Sequence, residues 1–406
     1  MLRILFGASL LKIIVIFINL AIPAIVIRYY SPYDFGMYSY FLAYAIVVSI
    51  IQNGITASYR NRISHITKDE MLAYLLYTAR KLSVFVVGVI VVGMVCVLLF
   101  LDYHTMQVKV VIFILSTFIN LFYPLVSSYF DASAKTIKFC SYEILFSLSS
   151  LLIVYFLSLS DVNVLLVCIA TANYRGIYAL CILVYKYVHL SYRNKCVTII
   201  SDKPAIFGYE DACFFVIQVV NVVNSLLFMN LLARYYGIIA FGIFSLYFRF
   251  ISFPQQIVGF SSSLIWIRFR QAHYSDTNKS SDLLIKLFLT FLGLVLAWII
   301  VVQFVMKEAI YLYSSKNLVY PGELLLINVM VALTLMKDFS SIILNAVSLF
   351  KLQIVLSILM LALNACFYNF TYVKNFDSAY IISISLYLLL CVIINLISIK
   401  YTVFKK

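Results

Sequence analysis

The strongest constraint on this chain is its punctuation: long apolar runs alternate with short polar joints from end to end. A helix crossing the hydrocarbon of a bilayer needs about 20 mostly apolar residues. Segments of that kind fall at about 9–28, 36–58, 80–101, 108–130, 139–159, 163–186, 210–233, 238–262, 283–306, 322–345, 352–373 and 378–399. Membrane strands would be shorter and alternate strictly, and no such pattern is present. Of the 406 residues, 64% are hydrophobic and 11% charged, whereas soluble domains carry about a quarter charged residues. The apolar excess has to face lipid. The expected fold class is therefore an all-α membrane protein of about twelve transmembrane helices, with no separate soluble domain.

The net charge of +14 is spread over many short joints rather than gathered into a nucleic-acid-binding patch. With the N-terminus in the cytoplasm, about 21 Lys and Arg fall on the cytoplasmic side and about 6 on the other. Both termini are then expected to be cytoplasmic. The largest cytoplasmic joint, about 187–209, separates an N-terminal half, 1–200, from a C-terminal half, 201–406. The eight cysteines form no Cys-x-x-Cys pair and sit mostly in apolar runs, as small core residues do. Met1 to Ile27 imitates a signal peptide, but Lys12 interrupts its apolar stretch and no small-x-small site follows. It is expected to be a retained first helix.

Half a chain apart, the sequence repeats itself. Arg28-Tyr29-Tyr30-Ser31-Pro32-Tyr33-Asp34-Phe35-Gly36-Met37-Tyr38-Ser39 matches Arg234-Tyr235-Tyr236-Gly237-Ile238-Ile239-Ala240-Phe241-Gly242-Ile243-Phe244-Ser245 at Arg, both Tyr, Phe, Gly and Ser. Each copy lies in the first external loop of a six-helix half. Six spans bring each half back to its starting side, so the repeat is parallel, with its axis along the membrane normal. The halves should then superpose with Gly36 on Gly242. Two such bundles facing each other enclose a central cavity, and rocking them gives alternating access, a logic of transport rather than bond chemistry.

The first loop, Tyr30-Ser31-Pro32-Tyr33-Asp34-Phe35-Gly36-Met37-Tyr38, and the close of span two, Asn53-Gly54-Ile55 leading into Arg60-Asn61-Arg62, carry a family resemblance. With the six-plus-six plan, the chain resembles the polysaccharide-flippase branch of the MATE-like multidrug/oligosaccharidyl-lipid/polysaccharide exporter superfamily. Length and charge look like an O-antigen flippase. The resemblance implies a bacterial inner (cytoplasmic) membrane and an undecaprenyl-diphosphate-linked oligosaccharide of surface lipopolysaccharide biosynthesis, moved from the cytoplasmic to the periplasmic leaflet. It also implies a cationic cavity, coupling to a gradient of H+ or Na+, and polymerase and chain-length proteins as pathway partners. It calls for no cofactor.

Ionisable groups at membrane depth are costly and usually face a cavity or a partner. Arg175, Arg249, Lys337 and Asp338 lie inside spans six, eight and ten. Guanidinium forks suit phosphate oxygens and keep their charge when dehydrated, so Arg175, Arg249 and Lys337 are expected to hold a diphosphate. Asp338 is the natural coupling-ion site. The bland alternative is a set of buried ion pairs. Arg28 and Arg234 close the external ends of spans one and seven, as gates for an anionic glycan or as interfacial anchors. Arg60 ends span two on the cytoplasmic side, as an entry contact or as topogenic charge. Asn120, Asn221, Asn224, Gln255, Gln256, Asn328 and Asn345 fit interhelical bonding as well as sugar contact.

No phosphate-binding G-x-x-x-x-G-K-[ST] loop and no H-E-x-x-H occurs, so no ATP motor and no catalytic constellation is expected. Two other classes compete with the flippase. A multidrug/cation antiporter on the same fold should prefer acidic cavity groups. A membrane polysaccharide polymerase or ligase should carry a large external loop.

Overall fold

The structure is a computed structural model that describes residues 2–45, 47–48, 59, 68–100, 106–133, 135–192, 209–255, 269, 277–314, 324–347, 349–369 and 376–403. Among these, every regular element is helical. In chain order they are α1 (Leu2–Tyr29), α2 (Pro32–Tyr44), α3 (Lys68–Phe100), α4 (Met106–Thr117), a 3-10 turn (Phe118–Leu121), α5 (Phe122–Ala132), α6 (Thr136–Leu159), α7 (Val164–Tyr192), α8 (Tyr209–Ile251), α9 (Thr277–Ser314), α10 (Leu324–Ala346), α11 (Phe350–Asn369) and α12 (Phe376–Val403).

Eight helical stretches among the described residues are long and apolar enough to cross a membrane, and three shorter apolar helices cover Phe215–Leu231, Gly237–Ile251 and Phe350–Cys366. Each coincides with an expected span. The remaining one, 36–58, begins in α2, and most of its second half lies outside the described residues. Large apolar side chains such as Val84, Phe304 and Tyr185 stand 72%, 78% and 65% exposed, the inverse of a soluble surface. The protein is an all-α, multi-pass membrane protein.

Three local details differ from the expected pattern. Helix α3 starts at Lys68, well before Arg80 and Lys81. The charges mark where the apolar span begins, whereas the helix runs on through them, burying Met71, Tyr74 and Leu75 while Arg80 and Lys81 stay exposed. The fourth span is broken at Phe118–Leu121. Pro124 has no N–H to offer the Asn120 carbonyl four residues back, so the helix tightens there. The loop between spans seven and eight collapses to one residue inside α8: Gly237, at φ 77° and ψ 167°, a conformation essentially reserved for glycine.

The corresponding turn after α1 is made differently. Ser31, with extended backbone, caps α2 by accepting from the Asp34 N–H at 3.1 Å. Pro32 takes the first helical position, where its missing N–H costs nothing. The Ser-Pro-x-Asp run in the first copy of the repeat is thus a helix cap, which the second copy replaces with a glycine break.

The described residues group into two compact units, Met1–Met229 with Tyr236–Gly242, and Asn230–Tyr235 with Ile243–Lys406. In the first, α7 is the hub: it packs on α2, α3, α4, α5 and α6, while α1 lies along α6. Aromatic rings fill the space around it, with Phe139 at 5.3 Å from Tyr178 and Phe146 at 4.6 Å from the same ring. Asn120 braces the broken span to α7: its amide donates to the Ala172 carbonyl at 3.0 Å and to Asn173 Oδ1 at 3.2 Å, and its oxygen accepts from the Gly176 N–H at 2.9 Å. Gly176 permits this approach, since a Cβ there would sit 2.6 Å from the Ile119 carbonyl.

In the second unit, α10 packs on α12 and α9. Its buried polar groups bond between helices: Asn395 to Ser340 at 2.8 Å, Gln353 to Asn345 at 2.8 Å and Asn328 to the Ile299 carbonyl at 3.1 Å. For Asn120, Asn328 and Asn345 these bonds favour interhelical bracing over sugar contact.

Candidate functional site

The densest cluster of charge among the described residues lies in the first unit, where α1, α5, α6 and α7 meet. Glu143 projects from α6 and is 0% exposed. A carboxylate so buried is sustainable only with cations and donors around it, and three groups supply them. Lys12, from α1, forms a short ion pair with its Oε2. The Tyr123 hydroxyl, from α5, donates to Oε1 at 2.7 Å. Arg175, from α7, places its Nε 3.6 Å from Oε1.

The aromatic neighbours hold the two cations in place. The Lys12 ammonium lies 5.7 Å from the Tyr123 ring centre and 5.4 Å from that of Phe139. The Arg175 guanidinium lies 5.5 Å from Tyr123 and 5.6 Å from Tyr174. Such contacts gain weight where water is scarce. Arg175 Nε donates to the Tyr174 hydroxyl at 2.9 Å, which also takes a bond from Asn19 at 2.9 Å. Asn19 is two helical turns beyond Lys12 on the same face of α1.

Two features make this more than a neutralised pair. It holds two cations against one carboxylate, leaving one positive charge in excess. Arg175 is also 37% exposed, and its bonds to described residues all run through Nε. The terminal guanidinium nitrogens, the pair that forks onto a phosphate or carboxylate, therefore remain open to an incoming group.

Arg175 is thus placed in a built site of the first unit. Lys337 and Asp338 lie side by side on α10 in the second unit, 3.8 Å apart between Nζ and Oδ1. Asp338 Oδ2 accepts from Gln255 at 2.9 Å. Arg249, half-buried in the last turn of α8, belongs to that unit too. Arg28 ends α1 and Arg234 precedes the Gly237 break; both are exposed. Arg60 lies outside the described residues.

Sequence reasoning missed Glu143 and gave Lys12 no functional part. The signal was present, since an acidic residue inside an apolar segment needs a cation. Each, however, sits within about two turns of a span end, where snorkelling is the simpler account.

A concavity of about 370 Å³ lies in the same unit, lined by the first turns of α2 (Tyr33, Asp34) and α4 (Lys109) and by the joint between α6 and α7 (Asp161, Asn163). Its charges are of mixed sign.

Solved structures resemble this chain over nearly its whole length. A MATE transporter of Vibrio cholerae, VcmN, superposes with a TM-score of 0.70 at 13% identity, covering 100% of this chain and 96% of its own. An outward-facing multidrug resistance MATE family transporter of the MOP superfamily gives 0.67 at 12% identity, with 99% and 95% covered. The fold is that of the MATE transporters. A MOP superfamily transporter from Pyrococcus furiosus, described as having a binding pocket of reverse polarity that suggests a different function, gives 0.62 at 11% identity, with 100% and 96% covered. No family model matches the chain, and no curated protein matches it. At these identities the likeness to the MATE structures shows the fold alone.

Proposed function

We propose that this protein is a flippase for an undecaprenyl-diphosphate-linked oligosaccharide, an O-antigen or related repeat unit, working by alternating access in a bacterial inner membrane. The observation that carries the reading is Arg175: a guanidinium inside a membrane span, anchored through Nε, with its terminal nitrogens open and one positive charge in excess around it. Such a group suits a diphosphate whose polyprenyl tail stays in lipid. The MATE fold supports a transporter rather than an enzyme.

Depth agrees with this reading. Tyr123 lies seven residues before the end of its span at Phe130, and Glu143 seven residues after the start of its own at Thr136. At 1.5 Å per residue both are about 10 Å from those ends, which the charge distribution assigns to the cytoplasm. A lipid-linked substrate assembled on the cytoplasmic leaflet meets the site from that side. In this scheme Arg249, Lys337, Arg28, Arg234 and Arg60 are further contacts along the route, and Asp338 binds the coupling H+ or Na+. The pathway's polymerase and chain-length proteins take over the product.

Two of the similar structures are described as multidrug MATE transporters, in inward- and outward-facing conformations. A cationic drug, however, would meet an excess of positive charge at Arg175. The same fold is described with a binding pocket of reverse polarity in the Pyrococcus furiosus protein, so the fold is not tied to one pocket charge.

The test is restoration of surface polysaccharide in a flippase-null strain, normalised to membrane abundance. Arg175→Ala and Arg249→Ala should lose activity at normal abundance. Arg249→Lys should be partly active, because an ammonium keeps the charge but loses the fork, and Arg249→Glu should be inactive. Full activity of both alanine variants would remove the cationic mechanism.

A further inference from the structure

Lysines gather at one end of the α6–α7 hairpin. Lys135 precedes the first residue of α6, Lys138 stands in its first turn, and that turn holds no acidic residue. Lys186 lies near the end of α7. The two helices are joined by a short turn, and Lys138 and Lys186 are about equally far from it along the chain, so the hairpin sets them level. The Tyr178 hydroxyl donates to the Phe139 carbonyl at 3.0 Å, which holds α7 against the start of α6. Lys186 is within electrostatic range of both other lysines. Lys135 and Lys138 are exposed and Lys186 is half-buried. Among the described residues none of the three has an acidic partner.

Topology alone does not ask for this arrangement. An excess of Lys and Arg at the cytoplasmic ends of spans is a count per side, met equally well by charges far apart. Three cations brought together repel one another, and an anion among them removes the repulsion. What continues from the lysines indicates its chemistry. Lys138, Tyr142, Leu145, Leu152 and Phe156 recur at helical spacing along one face of α6, and all are exposed. The Lys138 ammonium lies 5.7 Å from the Tyr142 ring centre. The cations thus head an apolar stripe suited to lipid. Glu143 leaves α6 from a different face, toward Lys12 of α1.

We propose that Lys135, Lys138 and Lys186 hold the phosphate of an anionic phospholipid of the bilayer, with its acyl chain along the exposed stripe of α6. Basic pockets between membrane helices on the cytoplasmic side suit such headgroups, and the charge distribution assigns this end of the hairpin to the cytoplasm. A polyprenyl diphosphate offers the same chemistry, a phosphate on an apolar tail. A seat on the exposed face of α6, apart from the face that carries Glu143, favours a resident phospholipid over a substrate bound for Arg175. The inference does not depend on the reading of Arg175.

The experiment is native mass spectrometry of the purified full-length chain in detergent, titrated with dioleoyl-phosphatidylglycerol or dioleoyl-phosphatidylcholine. These share the phosphate and the acyl chains and differ in net charge. The wild type should bind phosphatidylglycerol at least about fivefold more tightly, the effect of one interfacial lysine. Lys186→Gln should weaken phosphatidylglycerol about fivefold and leave phosphatidylcholine unchanged. Lys351→Gln, at an exposed position of the second unit, should keep the wild-type preference. Should Lys186→Gln fail to fold, the pair Lys135→Gln with Lys138→Gln, both at exposed positions, should weaken phosphatidylglycerol about twenty-fivefold. Equal binding of the two lipids by the wild type, or an undiminished preference in the folded variants, would overturn the proposal. Farnesyl diphosphate at equal concentration separates the two sources. Phosphatidylglycerol should stay bound, and its displacement would give the site to a lipid diphosphate and overturn the proposal as well.

Discussion

Gly36 and Gly242, the glycines that recur at the same place in the two copies of the repeat, lie against each other within the first compact unit. A Cβ on Gly242 would fall 2.8 Å from the Gly36 Cα, and a Cβ on Gly36 would fall 2.2 Å from the Ile238 carbonyl oxygen. The obstacles are backbone atoms, which cannot swing aside as a side chain can. Tyr40 and Phe241 meet edge to face beside them, 6.0 Å between ring centres.

Gly36→Ala and Gly242→Ala are therefore each expected to cost about 1–3 kcal/mol, the usual range for overpacking. The measurement is thermal stability of the purified protein. Gly237→Ala differs in kind: nothing stands within 4 Å of its added Cβ, and the cost comes from φ 77° alone.

The sequence repeat marked these two glycines as equivalent positions and did not anticipate that they touch. Recurring glycines at fixed spacing were visible, whereas a close approach of two backbones is a tertiary fact. The helical spans were legible for a simpler reason. Lipid imposes a length and a composition on each one, and the joints are polar. Helix ends beyond the span were not legible, because nothing stops α3 from running on past Arg80 into water. Arg175 stood out as a charge midway along a span. Glu143 and Lys12 did not, since their meaning depends on a packing of four helices that pairs residues more than a hundred positions apart.

Tyr123→Phe should expose the dependence of that cluster on a single hydroxyl. The ring contacts to both cations are kept, while the hydroxyl's donation to Glu143 at 2.7 Å and its acceptance from Lys12 at 3.0 Å are lost. A hydrogen bond to a charged group is worth about 1.5–3 kcal/mol. The melting temperature should fall, and a double-mutant cycle with Glu143→Gln should show coupling between the two positions. Additive losses would contradict the network.

Asn120→Ala should act through folding rather than transport. Its side chain makes three bonds to α7 that brace the broken span. The expected result is reduced protein in the membrane, with transport per molecule unchanged. Loss of transport at wild-type abundance would assign the side chain to substrate instead.

Orientation has its own test. Reporter fusions after Tyr187 and at the C-terminus should both report the cytoplasm, as the excess of Lys and Arg in those joints requires. A periplasmic C-terminus would overturn the topology, and with it the placement of Tyr123 and Glu143 toward the cytoplasmic face.

The most direct test of the central claim is leaflet-to-leaflet movement of a fluorescent diphosphate-linked oligosaccharide lipid in proteoliposomes holding the purified chain. The wild type should move it faster than protein-free vesicles, and Arg175→Ala, reconstituted at equal amount and equal thermal stability, should not. Arg175→Lys should fall between them, because charge is kept and the fork is lost. Wild-type rates for Arg175→Ala, or no movement by the wild type, would contradict the account.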